Sequence, residues 1–198
     1  MQIAYNDKIF PLKALFSDSM SDKEFFEFCQ QNESLRIERD ENKQIIIMAP
    51  TSANTGRKNS HLLVELFNWN RKKETGVCFD SSTGFTLPDG SVRSPDASWM
   101  TIEKWDNLSE KEKNEFPHIC PDFVIELKSK SDNMKFLTGK MQKWIENGCL
   151  LAWMINPENK TAVIYRKGGT IEKISGFDKN LSGEKILPGF KLDLSLLI

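Results

Sequence analysis

The sequence predicts an α/β fold built on one mixed sheet, and three stretches carry that prediction. Phe123-Val124-Ile125-Glu126-Leu127-Lys128 is the most strand-like segment of the 198-residue chain. Asp132 to Asn147 follows with helical spacing and stops at Gly148. Leu150 to Ile155 is an unbroken apolar run of strand length, the pattern of a strand covered on both faces. Strand, helix and strand in that order imply a parallel pair joined by a right-handed crossover. The length is that of one domain, and 39% apolar residues suffice for one core. The expected architecture is a single domain over 1–198, with a central mixed sheet of about five strands, helices on its faces and two added hairpins.

The remaining elements follow in chain order. Ser21-Asp22-Lys23-Glu24 ahead of Phe25, Phe26, Phe28 and Cys29 is a capping box that opens an amphipathic helix. Leu35 to Asp40 and Ile45 to Met48, joined by a polar turn, read as a β-hairpin. From Thr55 to about Lys73 the residues Leu62, Leu63, Leu66, Phe67 and Trp69 form one apolar helical stripe, which Gly76 ends. Val77 to Asp80 and Gly84 to Leu87 are short strands, and Pro88-Asp89-Gly90 is a turn. Val92 to Met100 reads as one strand with Pro95 at an edge or bulge. Lys104 to Phe116 is polar, a surface insertion with a short helix. Thr161 to Tyr165 and Thr170 to Ile174 close a hairpin across Gly168-Gly169, and Leu187-Pro188-Gly189-Phe190 leads into an apolar tail.

Totals narrow the function classes. Lys plus Arg at 27 nearly cancels Asp plus Glu at 28, so the net charge of -1 gives no global attraction to a polyanion, although basic residues gathered on one face remain compatible with it. Cys29, Cys78, Cys120 and Cys149 lack any Cys-x-x-Cys pairing, and His61 and His118 are the only histidines, which argues against a zinc site. Met1 to Phe16 has no apolar run that would serve as a secretion signal, and no stretch approaches the ~20 apolar residues of a membrane span. A reducing cytoplasm is the default expectation.

Side chains alternate across a strand, so Val124, Glu126 and Lys128 share one face of their segment while Phe123, Ile125 and Leu127 share the other. An ion pair at the end of an edge strand is one reading. Asp96 supplies another: it follows Pro95 in a second strand-like stretch, 30 residues before Glu126, and would lie beside Glu126 if the two strands pair. Two carboxylates are hard oxygen ligands for Mg2+, which keeps several waters. The Lys128 ammonium would orient or deprotonate an attacking water, or neutralise charge at a phosphoryl group. Asp122 shares this face but sits four residues from Glu126, about 13 Å along a strand, too far to join it on one ion. It reads as the residue that opens the strand.

Pro95-Asp96 followed by Glu126-Leu127-Lys128 resembles the signature of the Pro-Asp…(Asp/Glu)-X-Lys nuclease superfamily. More narrowly the chain resembles the Uma2 family of predicted endonucleases. The matching stretches are Arg36-Ile37-Glu38, Met48-Ala49-Pro50, His61, Ser94-Pro95-Asp96, Pro121 to Glu126, Ser131 with Asp132, Lys140 with Trp144, Gly148 leading to Trp153, and Leu187 to Phe190, together spanning roughly residues 20 to 195. The resemblance implies a restriction-endonuclease-like fold and hydrolysis of nucleic acid, DNA in the first place, with Mg2+ or Mn2+ held by Asp96 and Glu126 and with Lys128 as the polarising cation. It also implies a homodimer, since cutting both strands of a duplex takes two sites. The alternative is a catalytically silent nucleic-acid-binding or protein-interaction module of the same fold.

The resemblance makes Glu38 a candidate extra carboxylate near the metal, against a surface glutamate. Lys140 is either a phosphate-reaching cation or a surface lysine. Glu65 reads as part of a solvated helix face, and His61 as a helix-opening residue, since no Gly-x-Ser-x-Gly motif accompanies it. Two features depart from the common pattern of relatives. Lys128 is present where many carry another residue, and Trp144 stands where tyrosine is usual, which removes a hydroxyl and keeps a packing role.

Overall fold

The computed structural model describes residues 12–14, 20–130 and 132–198, so most of the amino-terminal stretch and Ser131 lie outside the described residues. β1 (Leu12–Ala14) precedes α1 (Asp22–Gln31), which opens on the predicted capping box: Ser21 Oγ accepts from Glu24 N, and Ser21 N donates to Glu24 at 2.8 Å. β2 (Arg36–Arg39) and β3 (Ile45–Met48) form the expected antiparallel hairpin. α2 (Ala53–Lys73) buries Leu62, Leu66 and Trp69, whereas Phe67 is exposed and falls outside the buried stripe. The helix ends at Glu74 in the left-handed conformation, two residues before the glycine expected to stop it.

That glycine has a different task. Gly76 opens β4 (Gly76–Phe79), and a β-carbon there would run into the carbonyl oxygen of Met100 and the indole of Trp99. Gly76→Ala is expected to cost about 1–3 kcal/mol through overpacking, read as a lower urea midpoint. An unchanged midpoint would show that the strand pair yields freely.

β5 (Phe85–Thr86) and β6 (Val92–Arg93) come next, then β7 (Ala97–Thr101). The single strand expected over Val92 to Met100 is therefore two strands in separate sheets, broken at Ser94-Pro95-Asp96. The physical reason is local. Pro95 has no N–H to give a ladder, and the polar groups of Ser94 go to side chains: its N–H donates to Glu38 Oε1 at 3.0 Å and its carbonyl accepts from Lys140 Nζ at 2.9 Å. The polar insertion holds two short helices, α3 (Ile102–Asp106) and α4 (Glu110–Lys113). β8 (Phe123–Leu127), α5 (Met134–Glu146) and β9 (Leu151–Asn156) realise the predicted strand, helix and strand, with β8 and β9 parallel. β10 (Thr161–Arg166), β11 (Ile171–Ser175), β12 (Asn180–Ser182) and β13 (Lys191–Asp193) complete the order before a short 3-10 turn.

The central sheet has six strands, in the order β11-β10-β9-β8-β7-β4. It exceeds the expected five because the β10–β11 hairpin extends it rather than standing apart. A second, antiparallel sheet runs β1-β3-β2-β6-β5, and β12 pairs with β13. Alternation along β8 sorts the core. Phe123, Ile125 and Leu127 pack with Trp153, Phe190 and the α2 residues Leu62 and Leu66, whereas Val124 packs with Met141 and Trp144 of α5. Glu126 shares the face of Val124, so it emerges beneath α5.

Candidate metal and catalytic centre

The break after β6 and the carboxyl end of β8 meet because Ala97 pairs with Ile125 across the β7–β8 ladder. This register places Asp96 beside the end of β8, where its Oδ2 accepts from Leu127 N at 2.8 Å and its Oδ1 from Asn59 Nδ2 of α2 at 2.9 Å. Glu126 Oε1 accepts from the indole N–H of Trp144 at 3.0 Å and lies 2.9 Å from Lys140 Nζ. Lys140 and Trp144, four residues apart, share one face of α5. The same ammonium donates to Glu38 Oε1 at 2.8 Å, and Glu38 Oε2 lies 3.3 Å from Arg93 Nη1. Glu38 is 0% exposed, Glu126 4% and Lys140 8%. The chain Arg93, Glu38, Lys140, Glu126 is thus a buried line of alternating charge, and loss of either inner member, Glu38 or Lys140, would leave a buried charge uncompensated.

These surroundings set the proton affinities. Burial drives the Glu126 carboxyl up to about 7 against the partial relief of Lys140, and the nearby carboxylates of Asp96 and Glu38 push in the same upward direction. Burial also raises Asp96, opposed by the Leu127 N–H, Lys140 and Arg36. For Glu38 burial acts upward too, but Lys140 and Arg93 outweigh it and hold the carboxyl below its ordinary value. Lys140 is held above the ordinary range, since Glu126 and Glu38 outweigh its desolvation.

Asp96, Glu126, Glu38 and Lys140 are therefore brought together, and neither Glu38 nor Lys140 is a surface residue. Lys128 is not brought to them. β8 ends at Leu127, the Lys128 N–H donates to Ile155 O at 2.8 Å, and the Lys128 ammonium donates to Ser129 O at 2.9 Å and lies 3.7 Å from Glu158. The ion pair expected within the strand is replaced by Glu126 with Lys140. Asp122 opens β8 as read, taking Thr101 N at 3.0 Å and Lys104 Nζ at 2.7 Å. His61 and Glu65 take no part in the contacts around Asp96 and Glu126. Sequence reasoning missed the role of Trp144: the tryptophan lacks a phenol hydroxyl yet keeps a donor, its indole N–H, on the carboxylate. It also missed Arg93 and Asn59. The four-residue spacing of Lys140 and Trp144 was the one signal available for the first; the other two carry none without the fold.

A cleft of about 410 Å³ opens on this cluster. Ser94, Asp96, Glu126 and Lys140 line it together with Met48 to Ser52, which lead from β3 into α2, and with Asn133, Phe136 and Leu137 at the start of α5. Asp96 and Glu126 offer the hard oxygen donors that Mg2+ and Mn2+ take. No group of three or more His, Cys, Asp or Glu positioned for a metal occurs among the described residues. An ion held by these two carboxylates would complete its shell with water or substrate oxygen, as Mg2+ commonly does, so the residues fit the ion. Cys29, Cys78, Cys120 and Cys149 are free thiols, and no helix among the described residues is long and apolar enough to cross a membrane.

Comparison with known proteins agrees with this fold. The family model Uma2, described as "Putative restriction endonuclease", matches residues 22–195. A crystal structure titled "a putative nuclease belonging to DUF820" from Anabaena variabilis ATCC 29413 superposes with a TM-score of 0.69 at 20% identity, covering 81% of this chain and 88% of that one. No curated protein matches the chain.

Proposed function

The chain belongs to the Uma2 family, and from that premise we propose that it is an endonuclease that hydrolyses nucleic-acid phosphodiester bonds with Mg2+ or Mn2+ held by Asp96 and Glu126. The observation that carries the reading is the meeting of two carboxylates and one buried ammonium, Lys140, on the floor of a single cleft. When bound, the ion would supply Lewis acidity and a coordinated water more acidic than bulk water. The chain's own residues do the rest. The Leu127 N–H and Asn59 fix the orientation of Asp96, and the Trp144 N–H fixes that of Glu126. Lys140 offsets the carboxylate charge and lies where it would meet charge developing on a phosphate oxygen. Lys128, the amine named by the sequence signature, sits on Ser129 and Glu158, so Lys140 is the better placed of the two.

The test is cleavage of mixed DNA and RNA substrates with Mg2+ or Mn2+. Asp96→Asn and Glu126→Gln should each lower the rate on the order of 10²–10³-fold or more, while Lys128→Ala should retain most of it. Full activity in either carboxylate variant would sink the assignment. Loss in Lys128→Ala would return the amine's role to Lys128. Scission of both strands of a duplex from one cleft per chain requires a second copy, so a homodimer belongs to this reading for duplex substrates.

One observation favours a second reading. Lys140 already neutralises Glu126, as a purely structural network would. A silent module of this kind predicts no rise in melting temperature with Mg2+ or Mn2+.

A further inference from the structure

The walls of the cleft are of a different chemistry from its floor. Met48, Ala49 and Pro50 stand on the α2 side, and Phe136 and Leu137 on the α5 side. Ala49 and Pro50 are exposed and Phe136 and Met48 half-buried, so this apolar surface is open at the mouth of a charged site. Resting on the nuclease reading above, we propose that the cleft seats one unpaired nucleotide of a single strand, its phosphate toward Asp96, Glu126 and Arg36 and its base against Phe136, Met48 and Pro50.

Volume and chemistry both point there. About 410 Å³ lies in the lower part of the ~300–1,000 Å³ range of pockets that enclose one small molecule. A duplex keeps its bases stacked inward and offers a protein mainly sugar and phosphate outside the grooves, which would leave the apolar walls with nothing apolar to cover them. An unstacked base presents a π-face that stacks on an aromatic ring whatever its identity. Charge is arranged to match. Arg36, Lys130 and Lys140 balance Asp96, Glu126 and Asp132 along the lining, so a divalent ion on the floor tips the cleft toward anions. Arg36 is held in place by its bond to Ser81 O at 3.2 Å. The long helices α2 and α5 both begin at the mouth, capped by Ser52 and Asn133, and their amino ends add to the preference for phosphate. One strand in one cleft needs no second copy of the chain.

The experiment is binding, read separately from cleavage. The natural chain is titrated, with Mg2+ and with EDTA, against short fluorescein-labelled, cleavage-resistant phosphorothioate strands of DNA and RNA and the matching duplex DNA, and anisotropy is followed. A single strand should bind at least about tenfold more tightly than the duplex, and the tighter of the DNA and RNA arms names the natural strand. Phe136→Leu, which keeps apolar volume and removes the π-face, should weaken the single strand about 5- to 150-fold, the equivalent of ~1–3 kcal/mol for one stacked base. Phe136→Trp should restore it. Equal or tighter binding of the duplex, or an unaltered affinity in Phe136→Leu, overturns the proposal and leaves the nuclease reading standing. If neither strand nor duplex binds, the nuclease reading itself fails.

Discussion

Lys140→Met is expected to lower the melting temperature by about 10 °C. The substitution keeps the length and apolar stem of the side chain but removes the charge between Glu38 and Glu126, which are 0% and 4% exposed. Breaking a buried pair in this way costs about 3–5 kcal/mol, because the partner is left uncompensated, and each kcal/mol is worth roughly 2–4 °C in a chain of this size. Glu38 would keep Arg93 and the Ser94 N–H, whereas Glu126 would keep only Trp144 and would take up a proton. The loss should therefore be larger at pH 8 than at pH 6. Combining Lys140→Met with Glu126→Gln should recover part of it, since the carboxylate left with only Trp144 loses its charge along with its partner. Thermal melts of the natural chain and the two variants at both pH values check this. A fall under about 2 °C would mean that the ammonium is solvated and holds nothing.

Glu126 should make divalent-ion binding strongly pH-dependent. With its carboxyl raised to about 7, the group is largely protonated at pH 6, and an ion must displace that proton to bind. Mg2+ or Mn2+ affinity should fall about tenfold for each pH unit below 7 and level off above it. Calorimetry at pH 6, 7 and 8 gives the slope directly, and a flat profile would remove Glu126 as a ligand. The same shift enters stability with the opposite sense. A carboxyl whose folded-state pKa lies above its unfolded value of 4.5 stabilises the fold fully below pH 4.5 and loses that contribution as pH climbs to about 7. At about 1.4 kcal/mol per pH unit this amounts to about 3 kcal/mol. Glu126→Gln, neutral throughout, should therefore be more stable than the natural chain at pH 8 and comparable to it near pH 4.5, while cleavage is lost at every pH.

The fold was largely legible because its signals are local. The capping box at Ser21, the turn between β2 and β3, the apolar run of β9 and the glycines between β10 and β11 each act within a few residues. The strand, helix and strand over β8, α5 and β9 then follow from chain order alone. The misreadings arose where a distant partner overrode a local preference. Gly76 looks like a helix stop and is instead the only residue that fits against Trp99 and Met100. Val92 to Met100 looks like one strand and is two, because Glu38 and Lys140 take the backbone of Ser94.

The candidate site divides along the same line. By itself the sequence determined the two candidate acidic residues, Asp96 and Glu126, and the strand alternation that sends Glu126 toward α5, since residue type and period-two geometry are local, and its ordered motifs carried the resemblance to the family. Only the tertiary structure decided which ammonium answers those carboxylates. Lys128 is two residues from Glu126 yet lies past the end of β8, where Glu158 and the Ser129 carbonyl hold it, while Lys140 reaches Glu126 from the buried face of α5. Burial of Glu38 was equally invisible, because a four-residue strand does not reveal what covers it. Electrostatic partnership in a protein interior is settled by distance through space, and for pairs 102 residues apart, such as Glu38 and Lys140, only folding sets that distance.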